Sequence, residues 1–169
     1  MAPTLAPASS KQTNGVSGTR GEQWVAKNIP CPNCDSSLML LPVGFPLFDV
    51  QCSRCLFRAQ VKANRCKPKD QIFGAGWEIL DRTLRTGQLI PPLLVNYEWL
   101  DRSTGKNRHE VHFFPFLTKA NLSRHRRPRT GQRPGYKQFN YVGLLKPSTP
   151  QAVLFPKGAQ AVSREPADR

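Results

Sequence analysis

The sequence predicts an α/β or α+β chain built around one sheet sandwiched by helices. Three observations carry that expectation. The segments run helix, strands, helix, strands. The strand candidates alternate apolar and polar residues with period two. A length of 169 residues makes about one domain with one core. Residues 1–20, MAPTLAPASSKQTNGVSGTR, carry no hydrophobic periodicity and no acid, the signature of a disordered N-terminal tail. Residues 157–169 read as a second disordered tail, which leaves 21–156 as the ordered domain. No apolar run of signal-peptide or membrane-spanning length occurs, so a soluble, cytoplasmic chain is expected.

Taken in order, GEQWVAKN (21–28) reads as the closing turns of a helix. Residues 38–42 and 47–52 read as two short strands around the Gly/Pro turn VGFP. In LFRAQVKA, alternation sets Gln60 and Lys62 on one face and Ala59, Val61 and Ala63 on the other. AGWEILDRTLRTG has Trp77, Leu80 and Leu84 at helical spacing with a glycine beyond, which predicts a helix of about three turns. LIPPLLVNYEWL and RHEVHFFPF flank the polar turn DRSTGKN as a hairpin. The basic stretch RHRRPRTGQRPGYKQ reads as a long loop, followed by strand candidates in FNYVGLL and AVLF.

Four of the five cysteines form a pattern. Cys31 and Cys34 lie in CPNC, Cys52 and Cys55 in CSRC, and seventeen residues separate the pairs. Two residues between thiols let a tight turn aim both sulfurs at one ion, and two such knuckles complete a tetrahedron. A structural Zn2+ is the reading, with an iron–sulfur cluster as its competitor. Such an ion has all four positions filled by protein, so it holds the fold and does no chemistry. Nothing marks the chain as secreted, which argues against disulfides. Cys66 has no partner at metal spacing and reads as an ordinary thiol.

The histidines carry less. His109 and His112 are three apart in a strand, so they face opposite ways. RHEVHFF also lacks the two residues between Glu and His that the HExxH zinc-hydrolase motif needs. His125 belongs to the basic stretch.

Charge points to a partner. The chain carries a formal +14, and between Arg102 and Lys137 ten Lys/Arg face a single acid, Glu110. A surplus that local suits a polyanion, because each cation that meets a phosphate releases condensed counterions. A solvated basic loop is the bland alternative. No amphipathic helix accompanies the charge, so a membrane surface fits less well.

Phosphodiester hydrolysis needs a divalent cation to polarise the phosphate, oxygen ligands to hold it, and a group to orient or deprotonate water. Asp49, followed after ten residues by Gln60-Val61-Lys62, supplies a carboxylate, an amide oxygen and an amine. In EQWV (22–25), CPNC (31–34), FDVQCSRC (48–55) and FRAQVKA (57–63) this order resembles the catalytic domain of the DpnI-like restriction endonucleases. Those belong to the PD-(D/E)xK nuclease superfamily. The likeness spans about residues 20–156, strong at the knuckles and looser beyond them.

The resemblance implies a mixed central sheet flanked by helices, with an inserted zinc knuckle pair. It implies Mg2+-dependent cleavage of adenine-methylated double-stranded DNA, in restriction or genome defence. Asp49 and Gln60 would be metal ligands, with the Val61 carbonyl a further contact. Lys62 would position the attacking water, and Glu22 would add a carboxylate from the first helix. The family pattern has glutamate where this chain has Gln60, although Mrr-like relatives use QxK. Its C-terminal winged-helix reader has no counterpart after Phe155. Target reading would then fall to Arg124, Arg126, Arg127, Arg129, Arg133, Tyr136 and Lys137, or to a separate DNA-reading partner. A catalytically inactive zinc-knuckle nucleic-acid binder is the alternative.

Overall fold

A computed structural model describes residues 14–130 and 135–156. The fold is α/β, with a mixed six-stranded sheet ordered β1-β2-β3-β5-β6-β9, its edge strand β9 spanning Ala152–Phe155, and a second, three-stranded sheet ordered β4-β8-β7. Helix α1 (Asn14–Asn28) leads into β1 (Leu38–Leu40), β2 (Val50–Cys52) and β3 (Arg58–Asn64), an antiparallel meander. The chain then leaves the first sheet through β4 (Ile72–Gly76) and α2 (Trp77–Arg85). It returns as β5 (Leu93–Asp101), parallel to β3 with Gln60 opposite Leu93 and Lys62 opposite Val95. Strand β6 (Lys106–Phe114) closes the predicted hairpin, with Asp101 opposite Lys106. The turn owes its shape to Asp101, whose Oδ1 accepts the Ser103 amide and hydroxyl. Those bonds hold the Asp101 carboxyl down to about 2.

Two apolar layers form because each strand has two faces. Val25 of α1 and Ile29 just beyond its end pack with Ala59, Val61, Leu94 and Val111 on one side. On the other, Leu93, Val95, Tyr97 and Phe114 meet Ile72 of β4, Leu80 of α2, and Phe139 and Tyr141 of β8 (Lys137–Tyr141). His109 and His112 follow the same alternation: His109 stacks on Trp24 of α1, and His112 lies edge-on to Tyr97 on the opposite face. A Cβ on Gly21 would come within 2.4 Å of the Ala63 Cβ. That glycine lets α1 lie directly on β3, beside the residues of interest.

Three expectations are corrected. The second face is covered by the β4-β8-β7 sheet with α2 upon it, where the sequence predicted helices on both sides. Strand β4, in IFGAG, was hidden by its two glycines and the absence of alternation. Helix α1 begins at Asn14, inside the segment read as tail 1–20. Those first turns lack apolar periodicity, and they extend a helix anchored by the docked Val25, since adding a residue to an existing helix costs far less than starting one. The basic stretch is no long loop, because β7 (Leu122–Arg126) pairs with β8 as an antiparallel ribbon, Arg126 opposite Lys137. The tail 157–169 lies outside the described residues.

Candidate functional site

The knuckles bring the four cysteines together. The thiol pairs Cys31–Cys55 and Cys34–Cys52 stand 3.6 and 3.4 Å apart, and all four Sγ atoms lie within 4.8 Å of one another. A tetrahedral ion with Zn–S bonds of about 2.3 Å needs sulfur–sulfur edges of about 3.8 Å, so the set fits. The amides of Arg54 and Cys55 both donate to the Cys52 Sγ at 3.3 Å, orienting it. Hydrogen bonds from the Ser36 side chain and backbone lower the Cys34 thiol to about 6, whereas, against the Phe57 backbone hydrogen bond, burial and the neighbouring thiols hold Cys55 up at about 12, so the four do not ionise together without a cation among them. Cys66 stands apart from this group as a half-buried free thiol.

The opposite end of the meander holds the second group. Strand β2 pairs with β3 at Val50–Ala59, and the Asp49 amide still donates to the Ala59 carbonyl at 3.0 Å. One step on, the backbone ladder ends and the Asp49 carboxylate takes it over: Oδ2 accepts the Val61 amide at 2.7 Å. Asp49, Gln60 and Lys62 then line one cleft of about 720 Å³, walled by the 44–47 turn and by Ile79, Arg82 and Thr83 of α2. Gln60 is buried, and its Oε1 accepts the Tyr141 hydroxyl at 2.5 Å.

The charges here are perturbed in a consistent direction. Burial raises the Asp49 carboxyl, against the Val61 hydrogen bond and the Lys62 charge. Burial lowers the Lys62 ammonium, against Asp49 and Glu22. Burial and the Asp49 charge raise Glu22, so α1 carries its acid into the same electrostatic neighbourhood. Burial and Asp49 also keep the Tyr141 phenol protonated, so it donates to Gln60. Each shift favours the neutral form, as a partly dry site does.

The basic residues are held in several ways. Arg124 lies over the Trp77 ring at 4.0 Å. Arg127 donates to Gln138 Oε1 at 3.0 Å and lies 5.9 Å from the Phe73 ring centre. Arg126, Arg129 and Lys137 are exposed, as is His125, which sits on β7 and not in a loop. Tyr136 is half-buried, its hydroxyl against Gly76. Arg133 lies outside the described residues. Sequence reasoning missed Tyr141 and the α2 wall of the cleft. Tyr141 is 81 residues from its partner Gln60 and looks like any strand tyrosine. No helix among the described residues is long and apolar enough to cross a membrane.

A scan of protein-family models finds no match to this chain, and a search of curated proteins finds none either. What the geometry defines is an α/β chain with a mixed sheet and a four-cysteine cluster that could hold a metal ion.

Proposed function

We propose that the chain is a zinc-stapled, divalent-metal-dependent DNA endonuclease with a PD-(D/E)xK core of the DpnI-like type. The observation that carries the reading is the presence of Asp49, just before β2, and Gln60 and Lys62, on the adjoining β3, in the wall of one cleft. Asp49, the Gln60 Oε1 and the Val61 carbonyl would hold Mg2+, with Glu22 as a further carboxylate. The Val61 carbonyl leaves β3 on the side of the amide that Asp49 binds, since both groups of one residue face the same neighbour. A cation held there would supply positive charge to the phosphate and acidify water. Tyr141 fixes the Gln60 amide by donating to its oxygen, which has a second lone pair for a metal. Lys62, lowered toward the neutral amine by burial, orients water or takes its proton at Nζ. Arg126 at the end of edge strand β7, Arg129 beyond it and Lys137 at the start of β8 are exposed and would meet phosphate. Preference for adenine-methylated DNA and a role in genome defence rest on the family likeness alone.

One observation favours a second reading, a zinc-knuckle nucleic-acid binder without catalysis. Gln60 brings no charge, and its oxygen is already engaged by Tyr141. Plasmid cleavage in Mg2+, on methylated and unmethylated DNA, separates the two. Nicking or cutting that disappears in Lys62→Ala and Asp49→Asn is the expected result. Intact plasmid bound tightly by the wild-type protein would establish the binder.

A further inference from the structure

The turn between β1 and β2 is an apolar tip on a basic protein. Val43 is fully exposed at 104 %, and Phe45 is 39 % exposed at the mouth of the cleft that holds Asp49 and Lys62. The tip is stiff. Prolines stand at 42 and 46, the Phe45 amide donates to the Pro42 carbonyl at 3.0 Å, and Gly44 takes φ +86 with open space where a Cβ would be. Behind it, Leu47 is buried in the core yet holds φ +61, a left-handed conformation that a leucine adopts only when its surroundings enforce it. Water alone gives no reason to anchor two apolar side chains this way. Arg58, whose guanidinium lies 5.8 Å from the Phe45 ring centre, and Arg82 across the cleft flank the tip with positive charge.

An exposed apolar point between cations matches the wedges that some proteins insert between base steps while cations hold the adjacent phosphates. We propose that the Val43–Phe45 turn is such a wedge. It enters the base stack of duplex DNA beside the bond to be cut, Val43 leading and Phe45 behind it. This rests on the nuclease reading above, because the wedge and the cleft would engage the same duplex. Opening a step there would bend the backbone toward Asp49 and Lys62, so the turn is a positioning element rather than a catalytic one.

The test uses the full chain without added Mg2+ and a 40-base-pair duplex with 2-aminopurine replacing every adenine of one strand, an emitter that brightens when unstacked. Anisotropy of an end label reports binding, and 2-aminopurine emission reports unstacking, both at saturating protein. Wild type is expected to bind and to raise the emission at least about twofold, given the partial unstacking wedges produce. Val43→Ser with Phe45→Ser should still saturate the duplex and leave its emission at the free value. Leu56→Ser, equally exposed at 100 % but in the cysteine-knuckle loop between β2 and β3, away from the tip, should behave as wild type. Binding with unchanged emission, or emission that survives the double substitution, overturns the wedge and leaves the nuclease reading standing. Absence of binding both to this duplex and to an adenine-methylated duplex of the same length overturns both. Sedimentation showing a dimer that the double substitution dissolves would assign the tip to a second copy of the chain and overturn the wedge.

Discussion

Replacing Gln60 by glutamate adds the second acid that the motif lacks, and the structure sets what that should cost. Position 60 is buried and lies across from Asp49, whose amide and carboxylate bond its two neighbours, Ala59 and Val61. Side chains opposite one another on antiparallel strands are ~5 Å apart. At an effective dielectric of ~20, two carboxylates there repel by about 3 kcal/mol. The Lys62 charge offsets part of this, and protonation of either acid caps it. Without metal, Gln60→Glu should therefore lose about 1–2 kcal/mol at neutral pH, a Tm fall of roughly 3–8 °C. Mg2+ reverses the sign, since a cation between two carboxylates relieves their repulsion. Its affinity should tighten about tenfold or more, which is ~1.4 kcal/mol. Thermal denaturation across a Mg2+ titration reads both effects without relying on turnover. A variant whose Tm responds to Mg2+ no more steeply than wild type would remove Gln60 from any metal site and refute this reasoning.

Other expectations follow from the same geometry. Metal analysis should find one Zn2+ per chain with negligible iron, and stripping it with a strong chelator should unfold the meander, since structural zinc contributes about 10–16 kcal/mol in small domains; iron in stoichiometric amount would instead favour a cluster. Asp49 is raised above 3.8, so the native state holds its proton longer and the stability it lends falls as pH climbs from 3.8 through the raised pKa. Lys62 is lowered below 10.5, so stability recovers as pH rises from its lowered pKa toward 10.5. Asp49→Asn and Lys62→Met should each flatten their own limb of the Tm–pH curve, and unchanged limbs would contradict the burial of these charges. Gly21→Ala drives a Cβ to 2.4 Å from that of Ala63 and should cost about 1–3 kcal/mol by lifting α1 from β3, measured by denaturant unfolding. Arg126→Ala should weaken DNA binding uniformly across sequences and reduce the salt slope by about 1, whereas a change confined to one target would make it a base reader.

What was legible in the sequence was what is local or alternating. The knuckles could be read because CxxC geometry is fixed within four residues, and the second knuckle forces β2 and β3 side by side, which brings Asp49 toward Gln60 and Lys62. Alternation in RAQVKAN assigned Gln60 and Lys62 to the face that lines the cleft. The rest depends on contacts between distant segments. The Tyr141–Gln60 bond spans 81 residues. Strand β4 exists because Ile72 and Phe73 find Tyr141 and Asn140 as partners, and nothing in IFGAG announces them. The ribbon escaped notice for a related reason, since SRHR looks like loop until Asn140, Phe139 and Gln138 supply its ladder.

The way β2 leaves β3 also decides which substitutions can speak about chemistry. Asp49 is a structural acceptor as well as a candidate ligand, because its Oδ2 stands where a backbone carbonyl would otherwise satisfy the Val61 amide. Asp49→Ala orphans that buried donor at a cost of about 1–3 kcal/mol, and any lost activity would be confounded with a loosened β3. Asp49→Asn keeps an oxygen for Val61 and removes only the charge. The same holds at position 60, where alanine would strand the buried Tyr141 hydroxyl and glutamate would not. Lys62 is different, since its neighbours influence it through charge and burial and its removal leaves behind an acid rather than an orphaned hydrogen-bond donor. A cleavage defect shared by Asp49→Asn and Lys62→Met, each with a Tm at or above wild type, would locate the chemistry in the charges themselves. A defect that appeared only alongside a falling Tm would place it in the fold.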